Sequence, residues 1–235
     1  MSDFSTRVYR FASGAAAAYM IAFGLCAAIF PRAFFDVFAT MSRPTAVAYA
    51  IVLLAPAWFP AALFMLEGTP IVALVKRNAP LICAAMHVIA SIATLTLRTS
   101  HPRAMWILWM LTAISLVGFY AWWASRIGML APVAIAFAGI VCDFLGESMF
   151  ITQPRLERIA SLLTGGAANG LYTLAAILLT ISTPSLPARW LAWIAWLSGI
   201  VLFIVTIFDW QPGLIASSAT LMMSFVVWVV VFARS

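Results

Sequence analysis

Cutting the chain at its charges and prolines leaves eight apolar runs, each close to the ~20 residues a helix needs to cross about 30 Å of hydrocarbon. They are Phe11–Phe30, Ala46–Leu66, Ala79–Leu97, Ala104–Ala124, Met129–Thr152, Ser161–Thr183, Trp190–Phe208 and Leu214–Phe232. Between them fall Pro31-Arg32, Glu67-Gly68, Lys76-Arg77, Arg98 to Arg103, Arg126, Pro154 to Arg158, Pro184 to Arg189 and Asp209 to Gly213. These groups are costly in hydrocarbon or end helices. The pattern predicts an all-α, polytopic transmembrane helix bundle of about eight spans, a single integral membrane domain over residues 1–235.

The flanks agree with this division. Trp106, Trp122, Trp123, Trp190 and Trp210 lie close to the breaks, where amphipathic indole rings are expected at headgroup level. The segment from Arg32 to Arg43, with Phe34, Phe35 and Phe38, reads as a short interfacial helix. Arg7 and Arg10 before the first run resemble the start of a signal peptide, but the run exceeds the ~7–15 residues of such a core and is read as a span. With the N-terminus inside, the cytoplasmic segments hold Arg7, Arg10, Lys76, Arg77, Arg126, Arg189 and Arg234, against Arg32, Arg43, Arg98, Arg103, Arg155 and Arg158 outside. Seven against six gives orientation little support; the arginines before the first span favour both termini inside.

Composition closes off a soluble alternative. Of 235 residues, 65% are hydrophobic and 9% charged, and the mean hydropathy is +1.08; a soluble domain carries about 25% charged residues. The expected location is a membrane of the bacterial inner or plasma type. Its lipids are the first expected partners, with protein partners in the membrane or further copies of the chain next. The net charge of +6 needs no nucleic acid, since juxtamembrane arginines suit anionic headgroups. Cys26, Cys83 and Cys142 each sit in an apolar run without CxxC spacing and read as small hydrophobes.

A weak repeat is also present. Phe30-Pro31-Arg32 at the end of the first run resembles Gln153-Pro154-Arg155 at the end of the fifth. It suggests two four-helix halves, 1–127 and 128–235, in parallel arrangement, because an even number of spans returns the chain to the same side.

The informative positions are polar residues that lipid does not explain. Asp143 and Glu147 stand four apart in the fifth run, one turn apart on one helix face. A carboxylate at mid-membrane costs roughly 2.5–3.5 kcal/mol on insertion scales. The pair is therefore expected to face inward, with at least one member holding a proton unless a cation approaches. Gly139 and Gly146 share that face, and the sixth run offers Gly166 and Gly170 in GxxxG spacing. Close packing of the two runs through these four glycines is expected. It would bring Asn169 and Tyr172 to the depth of Asp143. His87, near the middle of the third run, is a further proton-relay candidate. Asp143, Glu147, His87, Asn169 and Tyr172 are thus the candidate substrate- or proton-binding residues. Arg155 and Arg158 are candidate counter-charges, and in the alternative reading one of them joins Asn169 and the carboxylates in a purely structural lock.

Several chemistries lack their residues. There is no HExxH, HxxxH or CxxC for a metal, no GxSxG elbow and no P-loop, and the sole lysine, Lys76, is not deep in a span as a retinal Schiff base requires. No cofactor is expected. Three functions remain: a proton- or cation-linked transporter or hydrophobic-ligand carrier; a non-catalytic subunit of a larger membrane complex; and an intramembrane enzyme acting on a lipid or isoprenoid through carboxylate acid/base chemistry.

Overall fold

The computed structural model describes residues 41–55, 69–152 and 154–234, with Gly14, Tyr19, Ile21 and Leu25 besides. Its continuous stretches form seven helices: α1 (Arg43–Leu53), α2 (Pro70–Leu97), α3 (Pro102–Ile127), α4 (Ala131–Thr152), α5 (Glu157–Ile181), α6 (Arg189–Phe208) and α7 (Gln211–Arg234). α2 to α7 are long and apolar enough to cross a membrane, which makes the chain a polytopic membrane protein with six candidate spans among the described residues, against the eight expected. Of the run Ala46–Leu66, residues 46–55 are described and belong largely to α1 (Arg43–Leu53); the rest of the run lies outside the described residues. The run Phe11–Phe30 and the segment after Arg32 lie almost wholly outside the described residues, as does Phe30-Pro31-Arg32, the first copy of the repeated motif.

Helix ends follow from local chemistry. α2, α3, α4 and α7 begin with Pro70, Pro102, Pro132 and Pro212 in their first two positions, where the missing N–H would have had no helical partner. Thr69 caps α2 through its hydroxyl. α3 ends at Gly128, whose φ of 71° is the left-handed conformation glycine adopts freely, and its N–H returns to the Ala124 carbonyl. Lys76-Arg77 does not break the chain as its charge suggests. α2 runs through it for 28 residues, about 42 Å, which exceeds the ~30 Å of hydrocarbon, and both charged side chains are exposed.

α2 to α7 pack each on the next in sequence, and α7 packs back on α2, closing a six-helix ring. Aromatic side chains fill much of its core: Phe119 and Trp123 of α3, Trp196 of α6, and Phe225, Trp228 and Phe232 of α7 contact one another with ring centroids 5.2–6.3 Å apart. Buried indole N–H groups need acceptors, and each finds one. Trp123 donates to Thr183 Oγ1 (3.0 Å), Trp196 to Thr180 Oγ1 (2.8 Å) and Trp228 to the Pro187 carbonyl (3.2 Å). Trp123 is therefore a core residue and not the interfacial anchor expected from its place near a break; Trp190 and Trp210 are well exposed. The outer face carries Ile, Leu, Val and Phe side chains, as a lipid-facing surface requires.

Candidate functional site

α4 and α5 are antiparallel neighbours joined by a connection of four residues, and small residues let their backbones approach. A Cβ on Gly146 would lie 2.6 Å from Thr164 Cγ2 and 2.8 Å from the Ala160 carbonyl oxygen; one on Gly139 would lie 2.7 Å from the Tyr172 ring and 3.3 Å from the Ala168 carbonyl oxygen. The α4 glycines thus serve the contact expected of them. The α5 glycines do not. Gly165 and Gly166 face Thr206 of α6, and Gly170 faces Phe203 of α6. The small-residue spacing does not say which helix is approached, and here it is α6, closely at Gly165 and Gly170 and loosely at Gly166. Gly166 is buried in that second interface.

Opposite the α4 glycines, α5 departs from regular geometry. Residues Leu162–Ala168 form a π-helical segment between two α-helical ones. Such wide turns carry one extra residue and recur at functional sites. Gly165, Gly166, Ala167 and Ala168 supply it with little side-chain bulk.

This register sets Asp143 beside Tyr172. The Tyr172 hydroxyl donates to Asp143 Oδ2 at 3.2 Å, and Tyr172 is buried while Asp143 is partly exposed. One turn on, Glu147 is only 3% exposed. Its Oε2 has no hydrogen-bond partner among the described residues. The two carboxyl groups lie within each other's electrostatic reach, and both act on the Tyr172 phenol.

The remaining candidates go elsewhere. Asn169 donates through Nδ2 to the Gly199 carbonyl of α6 at 2.8 Å. His87 holds the Cys83 carbonyl of its own helix through Nδ1 at 2.8 Å and meets the rings of Trp109 (α3) and Phe225 (α7) at 6.5 and 4.8 Å; none of its contacts reaches the carboxylates. Arg158 also turns away. Its guanidinium donates to the Thr206 and Ile207 carbonyls at 2.8 and 2.6 Å and pairs with Asp209 at 3.6 Å. It thereby satisfies the carbonyls that a helix C-terminus leaves open, while Arg155 is exposed. An arginine-held lock of Asp143, Glu147 and Asn169 is therefore not what these residues form.

Tyr120 of α3 was not singled out by the sequence. It is 2% exposed and within electrostatic reach of Tyr172. A tyrosine at mid-run was the available signal, muted because tyrosine is also an ordinary core residue. Among the described residues, no three His, Cys, Asp or Glu side chains are grouped as a metal site needs.

The arrangement is thus a buried glutamate beside a partly exposed aspartate, one phenol and no counter-charge among the described residues. It can take up and release a proton, with the phenol orienting Asp143 and Glu147 retaining an open oxygen. No family model matches the chain, and neither the curated proteins nor the solved structures contain a match.

Proposed function

We propose that the chain is a proton-linked membrane carrier in which Asp143, Glu147 and Tyr172 form the proton-binding group. The observation carrying this reading is Glu147 Oε2, buried at intramembrane depth with neither hydrogen bond nor cation among the described residues. An ionised carboxylate left so would be strongly destabilising. A protonated one is tolerable, and a tolerable proton next to a second carboxyl group can be exchanged. Intramembrane acids of this kind serve proton relays and ion pathways in pumps and transporters. Of the three functions open at the sequence level, the site favours this one, because a purely structural pair would be expected to have its charges met.

The test uses the whole protein in liposomes carrying an entrapped pH-sensitive dye. After an imposed pH jump, wild type should equilibrate the interior faster than protein-free liposomes, and Glu147→Gln and Asp143→Asn should return the rate to that background while remaining folded. Variants as fast as wild type would refute the proposal.

A further inference from the structure

α5 has two very different neighbours. Toward α6 it is fastened along most of its length: Arg158 to the Thr206 and Ile207 carbonyls, Asn169 to the Gly199 carbonyl, and Thr180 to Trp196 Nε1. Thr173 also seats directly against Gly199, leaving no room for a Cβ there. These fastenings bracket the π-helical segment and are all far from the carboxyl pair in chemistry, none of them depending on a group that changes charge near neutral pH. Toward α4 the contact is of another kind. It runs over Gly139 and Gly146, and the only side-chain hydrogen bond crossing it among the described residues is Tyr172 to Asp143.

We infer that α5 and α6 move as one unit that shears along α4, and that the Tyr172–Asp143 hydrogen bond is the catch, tight when Asp143 is ionised and loose when it is protonated. The inference rests on the proton-binding reading above and adds the moving part to it. A hydrogen bond to an ionised acceptor is roughly twice as strong as one between neutral groups, so taking up the proton weakens the one side-chain hydrogen bond that crosses this interface among the described residues. Sliding of packed helices is an established form of conformational change, with displacements of about 1–2 Å, or about 5 Å for a one-turn step. The titratable groups around Asp143 among the described residues are Glu147 and Cys142 on α4, Tyr172 on α5 and, beyond it, Tyr120 on α3. Of these, only the two carboxyl groups exchange a proton under ordinary conditions, so the catch is theirs to set.

Pulsed electron spin resonance between two labels tests this in the full chain in nanodiscs, with Cys26, Cys83 and Cys142 replaced by alanine. One pair, Ala131→Cys with Ile181→Cys, spans α4 and α5 at positions that are both exposed; the other, Leu162→Cys with Phe208→Cys, spans α5 and α6, also at exposed positions. Between alkaline and acidic pH the first distance should shift by about 1–5 Å and the second should stay fixed. Asp143→Asn and Tyr172→Phe should each hold the first pair at its acidic value at every pH. A first distance indifferent to pH, or a second that changes equally, overturns the shear. Proton flux separates this from failure of the site itself: flux lost in Glu147→Gln with unchanged distances leaves the site reading intact and removes only the shear, whereas flux retained in Glu147→Gln and Asp143→Asn removes both.

Discussion

Gly146→Ala isolates the closest approach in the α4–α5 contact. The added methyl would lie 2.6 Å from Thr164 Cγ2, 2.8 Å from the Ala160 carbonyl oxygen and 3.1 Å from Leu163 Cβ. The first neighbour can rotate away, but the second is helix backbone, so the helices must part. Overpacking of this kind costs about 1–3 kcal/mol. Alanine also gains about 1 kcal/mol over glycine in a helix interior, which would mask part of the loss. Gly118→Ala in α3 supplies the correction: its Cβ would meet nothing within 4 Å, so it reports the propensity gain alone. The difference between the two variants should therefore equal the steric cost. At about 2–4 °C per kcal/mol for a chain of this size, Gly146→Ala should melt about 2–12 °C below Gly118→Ala when purified protein is followed by tryptophan fluorescence. Gly166→Ala, whose Cβ would find only Thr206 Cγ2 at 3.9 Å, should resemble Gly118→Ala. Equal melting of Gly146→Ala and Gly118→Ala would refute the close α4–α5 approach. A large loss in Gly166→Ala would contradict the loose seat of that residue against Thr206.

Other consequences are independent of that contact. Arg158→Gln removes the charged donor from the Thr206 and Ile207 carbonyls; because the group is partly exposed, the cost should be about 1–2 kcal/mol, seen as a lower melting temperature with proton flux per folded molecule unchanged. Trp196→Phe leaves the fully buried Thr180 hydroxyl without its indole partner and should cost about 1–3 kcal/mol, whereas adding Thr180→Val to it should recover part of that loss. His87→Gln should leave the pH dependence of proton flux unaltered, since the imidazole is engaged with Cys83, Trp109 and Phe225 and not with the carboxyl pair.

The parts of this architecture that were legible in the sequence are those set by the solvent. Runs of apolar residues bounded by charge and proline located α3, α4, α6 and α7 within a few residues, because lipid imposes length and composition directly. Lys76-Arg77 misled, since a charged pair at a helix surface can leave the bilayer while the helix continues, and a one-dimensional pattern does not distinguish that from a loop. Partner choice was illegible for a similar reason. The small residues of α5 announce a close contact, yet the rotation of α5 decides that α6 receives it, at Gly165 and Gly170 and not at Gly166. The spacing of Asp143 and Glu147 placed both on one face, and the register of a short connection placed Tyr172 beside Asp143. Arg158 was assigned to the carboxylates on proximity in the chain and Asn169 on its expected depth, but the carbonyls near the end of α6 hold the first and the Gly199 carbonyl the second.

The claim that everything functional here depends on is that the Asp143–Glu147 pair holds an exchangeable proton within the membrane. Infrared difference spectroscopy of the reconstituted protein, titrated across neutral pH, reads the carbonyl stretch of a protonated carboxyl group directly. The account predicts a carboxyl band that grows on acidification, is lost or displaced in Glu147→Gln and altered in Asp143→Asn, and is unchanged in His87→Gln. A spectrum identical in wild type and Glu147→Gln at every pH would contradict it.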